Sequence, residues 1–355
     1  MSYCIVTALY QLNDGNTKRR SIQKYIESLS YLYNIGVPVV IFTDMLDILQ
    51  PIYPNLQYQV LSRDNIPVYN KIMQSNAKVI PYGFDTTTKM YSIVTVSKPY
   101  FIDRCNELYP NFTHYIWMDA GISTHDHVPY ESLREGINAK LHDKITVVQM
   151  RSIMEHEKEG LCLLSRNGGI IAASIISVPK NLTHFLWDRT IDAVEKMLEH
   201  DYLCLDEQVL AYINGKNMDM FDYWYSDYDT LPNLTYINKD HSTVIRNMVN
   251  SEDIEHSCEI AVVLLNSIEF IPTFPLDLIP DILFNIQHRS YYVPHVMHKD
   301  IPLHILVSKI IHYLHVKYNV QFPDITWNNI KYSGVNVDDQ PEQMHEIMPY
   351  VRRFK

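Results

Sequence analysis

Two apolar strands separated by one amphipathic helix open the chain, and this constrains the fold more than any other feature. Tyr3 to Leu9 is a β-rich apolar run of strand length, and Asn13-Asp14-Gly15-Asn16 spells a turn. Ser21 to Tyr33 then places Ile22, Tyr25, Ile26, Leu29, Leu32 and Tyr33 at helical spacing. Val37 to Phe42 forms a second strand ending at Thr43-Asp44. A β-α-β opening of this kind pairs its strands in parallel and brings both carboxyl ends to one edge of the sheet. That edge is where α/β proteins keep their ligands.

The alternation continues along the chain. Leu56 to Leu61, Tyr115 to Met118, Ile145 to Met150 and Gly168 to Val178 read as strands. Thr86 to Leu108 reads as a helix interrupted at Pro99, with Ser97 positioned to cap the second piece; Leu182 to His200 and Asp206 to Asn214 complete the helices. The expected fold class is α/β, a mixed sheet flanked by helices. Near residue 240 histidines, prolines and short helix-like pieces replace the strand alternation, and Ile301 to Tyr318 carries the apolar stripe of an amphipathic helix. The expected division is a first domain over 1–240 and a mostly helical extension over 241–355, with a loosely held polar tail.

Charge and cysteine usage narrow the function classes. A formal net charge of −11 works against binding to nucleic acid or anionic lipid, which clustered Lys and Arg would hold. Five widely spaced cysteines with no CxxC pair suit a reducing compartment better than a disulfide framework. The N-terminal residues lack a basic region and an h-region, and no apolar run reaches the roughly 20 residues that span a bilayer. The expectation is a cytoplasmic protein, whose sequons at Asn111, Asn181 and Asn233 carry no glycans. The Ile, Asn and Tyr load suits a bacterial or viral source. The 26 tyrosines offer flat faces with hydroxyls, useful against sugars and bases and equally at home in a core.

Three groups of residues are candidates for chemistry. In Trp117-Met118-Asp119-Ala120-Gly121 an acidic residue stands where an apolar strand ends and a glycine lets the chain turn. A carboxylate there projects into the edge cleft and can hold a divalent cation, or it simply caps the turn. Gly168-Gly169 at the mouth of a strand allows close approach of backbone to a ligand, or a tight hairpin entry. Asp206-Glu207 stands at a helix N-terminus, which the helix dipole favours, and where a carboxylate could also deprotonate a hydroxyl or hold sugar hydroxyls. Asp206 is the preferred base of the two. His295/His298 and His312/His315 are spaced i, i+3 without an HExxH glutamate, and are expected to be structural.

Thr7-Ala8-Leu9, Val40-Ile41-Phe42-Thr43-Asp44, Lys98-Pro99-Tyr100-Phe101 and Tyr115-Ile116-Trp117-Met118-Asp119-Ala120-Gly121-Ile122 together resemble the bacterial and viral HtrL/YibB family over roughly residues 3–215. That family is similar in pattern to GT-A glycosyltransferases, with the Asp of its W-x-D-A-G string where those enzymes carry a metal-binding D-x-D. The resemblance implies a GT-A-like catalytic domain. Its activity would be transfer of a hexose from a nucleotide sugar, a UDP sugar first, to a hydroxyl of a glycan or glycoconjugate acceptor, assisted by Mn2+ or Mg2+. It implies Thr7, Ala8 and Asp44 beside the nucleotide, Lys98 at the donor phosphate, Asp119 on the metal, and His241 completing the metal shell. Asp44 is otherwise a strand-end cap and Lys98 a solvated helix lysine. This chain departs from D-x-D in having Asp119 alone, followed by Ala120 and Gly121. Two other readings stay open: a noncatalytic nucleotide- or carbohydrate-binding protein of the same fold, and a metal-dependent phosphoester hydrolase.

Overall fold

The computed structural model describes residues 2–12, 20–79, 88–122, 130–150, 153, 155–165, 169–225, 248–249, 254–270, 274, 276–290, 292–293, 295–323, 326, 330, 345–351 and 354. The chain divides into two compact units, Met1–Leu234 and Thr235–Lys355.

The first unit is built on a sheet that has seven strands among the described residues. In chain order they are β1 (Tyr3–Leu9), β2 (Val39–Thr43), β3 (Gln57–Val60), β4 (His114–Met118), β5 (Ile145–Gln149), β6 (Ile171–Pro179) and β7 (Phe221–Tyr225). Their spatial order is β3-β2-β1-β4-β6-β5-β7. β3, β2, β1 and β4 are mutually parallel, β6 runs antiparallel to both β4 and β5, and β7 returns parallel to β5. The chain therefore builds outward from β1 in one direction to β2 and β3, then crosses to the other side of β1 to lay down β4. In an open α/β sheet that reversal leaves a crevice at the carboxyl ends of the two strands that flank it.

Helices cover the sheet: α1 (Ile22–Tyr33), α2 (Lys89–Val96), α3 (Lys98–Leu108), α4 (Tyr130–Asn138), α5 (Thr183–Glu199) and α6 (Asp206–Lys216). Ser21 caps α1 by accepting from the Lys24 amide. Ile26, Leu29 and Leu32 of α1 are buried with Ile5, Ile41, Ile116 and Met118 of the sheet, and each buried side chain contributes about 1.5–3 kcal/mol. The ends of β1 and β2 are locked together by Thr43, whose hydroxyl donates to the Leu9 carbonyl at 2.7 Å and accepts from the Met45 amide at 2.9 Å.

Most expected elements are present with shifted ends. The break inside the helix expected over Thr86 to Leu108 falls at Ser97, and Pro99 sits in the first turn of α3. Ser97 does not cap: its hydroxyl donates back to the Ile93 carbonyl at 2.6 Å, so it closes α2. β7 was not anticipated. Phe221-Asp222-Tyr223-Trp224-Tyr225 is nearly all aromatic, and its partner β5 lies far away in sequence.

In the second unit α7 (Ile254–Phe270), α8 (Ile279–Ser290) and α9 (Leu303–Tyr318) dominate, with a short antiparallel pair between β8 (Met297–His298) and β9 (Ile301–Pro302). α8 packs against both α7 and α9. Here His298 is buried with Nε2 2.8 Å from the Tyr350 hydroxyl, and His315 Nδ1 lies 3.0 Å from the Val320 carbonyl. His298 thus meets Tyr350 from β8, and His315 meets the chain just beyond the end of α9.

Candidate functional site

A cavity of about 470 Å³ opens at the carboxyl ends of β1 and β4. Residues 8–12 form one wall, Asp119 to Ile122 another; Arg20, Ile22 and Tyr25 close it from the side of α1, and Tyr91, Thr95 and Lys98 from α2 and α3. Its place is set by topology, since β1 and β4 flank the reversal point of the sheet.

Asp119 follows the last residue of β4, and its amide donates to the Ser174 carbonyl of β6 at 3.0 Å. One carboxylate oxygen is fully engaged: Oδ1 accepts from Trp117 Nε1 at 2.6 Å and from Lys98 Nζ at 2.7 Å. The side chain keeps 35% exposure, and Oδ2 accepts from no described residue. Asp119 is the one carboxylate among the described residues that line the cavity.

Lys98, at the start of α3, is buried and makes three contacts with its ammonium group. Besides Asp119 Oδ1 it pairs with Asp206 Oδ2, and it donates to the Ala173 carbonyl at 2.9 Å. An ammonium has three N–H donors, so its capacity is filled. Burial pulls the group towards neutrality, but the Asp119 and Asp206 carboxylates outweigh it and hold Lys98 protonated well above the ordinary value of 10.5. Burial, helped by Asp206, Tyr25 and Asp119, likewise raises the Tyr91 phenol. Tyr91 is therefore a neutral hydroxyl at physiological pH.

Gly121 is required by close approach. A Cβ there would lie 2.9 Å from Cε1 of Tyr25 and 3.2 Å from a guanidinium nitrogen of Arg20. The missing side chain lets the Tyr25 ring and Arg20 pack over the turn that follows Asp119.

No protein-family model matches the chain, and no curated protein matches it. Among solved structures it is similar to the crystal structure of 4-diphosphocytidyl-2C-methyl-D-erythritol synthase from Anaerococcus prevotii DSM 20548. The identity is 10% and the TM-score 0.33, over 69% of this chain and 94% of that one. That likeness carries nothing about substrate. Among the described residues no helix is long and apolar enough to cross a membrane.

The residues singled out from sequence separate into several groups. Ala8, Lys98 and Asp119 line the cavity together. Thr7 does not: it is fully buried one residue short of the cavity wall, and Oγ1 has no hydrogen-bond partner among the described residues. Lys98 is neither a solvated lysine nor free to meet a phosphate, because its three donors are spent within the protein. Asp44 stands back from the cavity and pairs with Arg63 Nε at 2.9 Å, while Arg63 also donates to the Gln11 carbonyl at 2.6 Å. Asp44 thus braces the wall that follows β1.

Asp206 is buried, paired with Lys98, and absent from the described cavity lining. Glu207 is half-buried and also outside that lining. Gly169 has a left-handed φ of +52° with nothing described within 4 Å of a Cβ there, a backbone conformation that favours glycine. Gly168 and His241 lie outside the described residues. Arg20 and Tyr91 escaped sequence reasoning: Arg20 reads as a turn residue before a helix, and Tyr91 as one more apolar helix position.

The expected Mn2+ or Mg2+ can be compared with the donors present. Such a cation wants about six oxygen ligands. Asp119 and Asp206 are the carboxylates that converge, and the Lys98 ammonium joins them. Among the described residues no group of three or more His, Cys, Asp or Glu is placed to hold a metal ion. As described, the donor set fits an ammonium and does not fit a divalent cation.

Proposed function

We propose that the chain is a glycosyltransferase of GT-A type that takes a nucleotide sugar, a UDP sugar first, and transfers its sugar to a hydroxyl of a glycan or glycoconjugate. The observation that carries this reading is the cavity at the reversal point of the sheet, where a carboxylate with one oxygen unengaged by any described residue lines the same space as Arg20. A guanidinium suits a diphosphate, and a carboxylate oxygen suits sugar or ribose hydroxyls. Tyr25 and Tyr91 line the same cavity with aromatic side chains, one from the side of α1 and the other from α2. The resemblance of the Trp117-to-Gly121 string to the HtrL/YibB family supports the same reading.

In the transfer the bond between the anomeric carbon and the diphosphate oxygen breaks, and its electron pair leaves with the nucleoside diphosphate. The acceptor oxygen bonds to the anomeric carbon, and the acceptor's proton ends on the released diphosphate. The chain's own contribution is positioning and electrostatics: Arg20 facing the departing diphosphate, and Asp119 fixed by Trp117 and Lys98.

A screen of nucleotide sugars for release of nucleoside diphosphate, with wild type and Asp119→Ala, tests the proposal. Release by wild type and a loss of roughly a hundredfold or more in the variant is expected. Equal release by both proteins removes Asp119 from the mechanism. A second reading, a noncatalytic binding protein of the same fold, is favoured by Asp119 being alone among described cavity carboxylates. Saturable binding of UDP sugars without nucleotide release decides for it.

A further inference from the structure

The contacts of Lys98 bear on how this site handles a diphosphate. Its ammonium joins Asp119 and Asp206 and is also held by the Ala173 carbonyl, with the Trp117 ring centroid 5.5 Å away. The side chain is only 5% exposed, so the charge is enclosed by its partners. A divalent cation binding both carboxylates would have to expel that ammonium from a site in which every N–H is matched. The expelled group would leave the Ala173 carbonyl without its donor, at a cost that buried polar groups impose. Oδ1 of Asp119 is moreover already shared between Trp117 and Lys98, which leaves Oδ2 as the available acceptor.

Charge balance points the same way. Asp119, Lys98 and Asp206 sum to one negative charge, so this cluster by itself repels a diphosphate. Among the described residues the compensating positive charge facing the cavity is Arg20, exposed just before α1 and beside Gly121. Arginine stays charged at any working pH and presents a planar fork to phosphate oxygens.

We propose that this site binds its nucleoside diphosphate without a divalent metal, with Lys98 as the fixed cation that orients Asp119 and Arg20 as the cation that meets the diphosphate. The inference rests on the nucleotide-sugar reading above. In it Lys98 is a positioning residue and Arg20 a binding residue.

Calorimetric titration of the full, chelator-treated chain with UDP and GDP, in EDTA and again with Mn2+, tests it. Spin-resonance titration of Mn2+ with the protein gives a second readout that does not depend on turnover. At least one of the two nucleotides is expected to bind equally well in both buffers, within about twofold, and the free Mn2+ signal to persist. Arg20→Gln is expected to weaken that binding by about tenfold or more, which corresponds to 1.4 kcal/mol. Lys98→Arg, which keeps the charge, is expected to bind nucleotide in EDTA more tightly than Lys98→Met, and equal binding by the two folded variants overturns the role of Lys98. Binding that disappears in EDTA and returns with Mn2+ overturns the inference while leaving the nucleotide-sugar reading intact. Loss of the Mn2+ signal on wild type but not on Asp119→Ala does the same. An Arg20→Gln protein that binds as tightly as wild type overturns the role of Arg20. No nucleotide binding in either buffer removes the nucleotide-sugar reading and this inference with it.

Discussion

The Nζ of Lys98 lies 2.7 Å from Oδ1 of Asp119, and this contact ties the first turn of α3 to the carboxyl end of β4. It joins the first turn of a helix to the end of the strand that follows it, and it decides which oxygen of Asp119 remains for a ligand. Through Asp206 the same ammonium reaches the first turn of α6. One buried charge therefore registers three elements around the cavity.

Removing that charge is expected to be costly. Lys98→Met leaves the buried Asp206 carboxylate and half of Asp119 without their cation, and breaking a buried pair in this way costs roughly 3–5 kcal/mol. Denaturant unfolding of wild type and variant measures the difference. The effect has a defined pH window, because the folded state holds the Lys98 proton more tightly than the unfolded chain does. Its contribution is complete below the ordinary value of 10.5 and is lost as pH rises beyond it, where the unfolded chain releases the proton first. The stability gap between wild type and Lys98→Met is thus expected to be flat through neutral pH and to narrow above about pH 10.5. A gap that widens there contradicts the pairing.

The two glycines separate a packing requirement from a backbone requirement. Gly121→Ala puts a methyl 2.9 Å from the Tyr25 ring, so Tyr25 and Arg20 must move, at about 1–3 kcal/mol and with loss of nucleotide binding. Gly169→Ala meets open space but keeps a left-handed φ of +52°, at about 1–2 kcal/mol in stability alone. Thermal unfolding together with UDP titration of both variants distinguishes them. Equal binding by the two proteins contradicts the close approach at Gly121.

The sheet was readable where local pattern and burial agree. β1, β2 and β4 are buried along nearly their whole length, so their sequences are continuous apolar runs, and the β-α-β opening fixed the parallel pairing of β1 with β2. β7 was unreadable because its pairing with β5 is long-range and its five residues carry no alternation. At the site, Asp119 could be found because a lone acid ends an apolar strand before a glycine. The roles of Lys98 and Asp206 could not, since a lysine at a helix start and an aspartate at a helix N-terminus look the same whether solvated or paired in the interior. Only the convergence of α3, α6 and β4 turns them into one cluster. Arg20 was overlooked for the opposite reason: it stands outside any periodic pattern.

Thiol reactivity offers an inexpensive check on the burial of β1, α3 and the residues that lead into α6. Cys4, Cys105, Cys204 and Cys258 are buried, and Cys162 is the partly exposed one. The hydrogen bond with Cys4, together with burial, raises the Cys105 thiol, and burial pushes the Cys204 thiol up to about 12. Protonated, enclosed thiols react slowly. A chromogenic disulfide reagent is therefore expected to titrate one thiol quickly in the native chain and the remaining four only after denaturation. Replacing Cys162 with serine is expected to abolish the fast phase.

In the second unit the buried imidazole of His298 gives an acid-side counterpart to Lys98. Burial, reinforced by the neighbouring Lys299, lowers its pKa from 6.5 to about 4, against a smaller opposing effect of Glu269. The folded chain keeps this ring neutral beside the Tyr350 hydroxyl, whereas the unfolded chain protonates it below about pH 6.5. Protons then bind the unfolded state preferentially, so stability is full above pH 6.5 and declines as pH falls towards 4. A displacement of that size is worth roughly 3 kcal/mol across the window. His298→Gln cannot titrate there, and subtracting its unfolding free energy from that of wild type at several pH values isolates the contribution. The difference is expected to shift against wild type by roughly 3 kcal/mol between pH 7 and 4, with the steepest part above the folded value. A difference that does not change with pH would mean that water reaches the ring in the folded protein, and the packing of Tyr350 against His298 would then have to be redrawn.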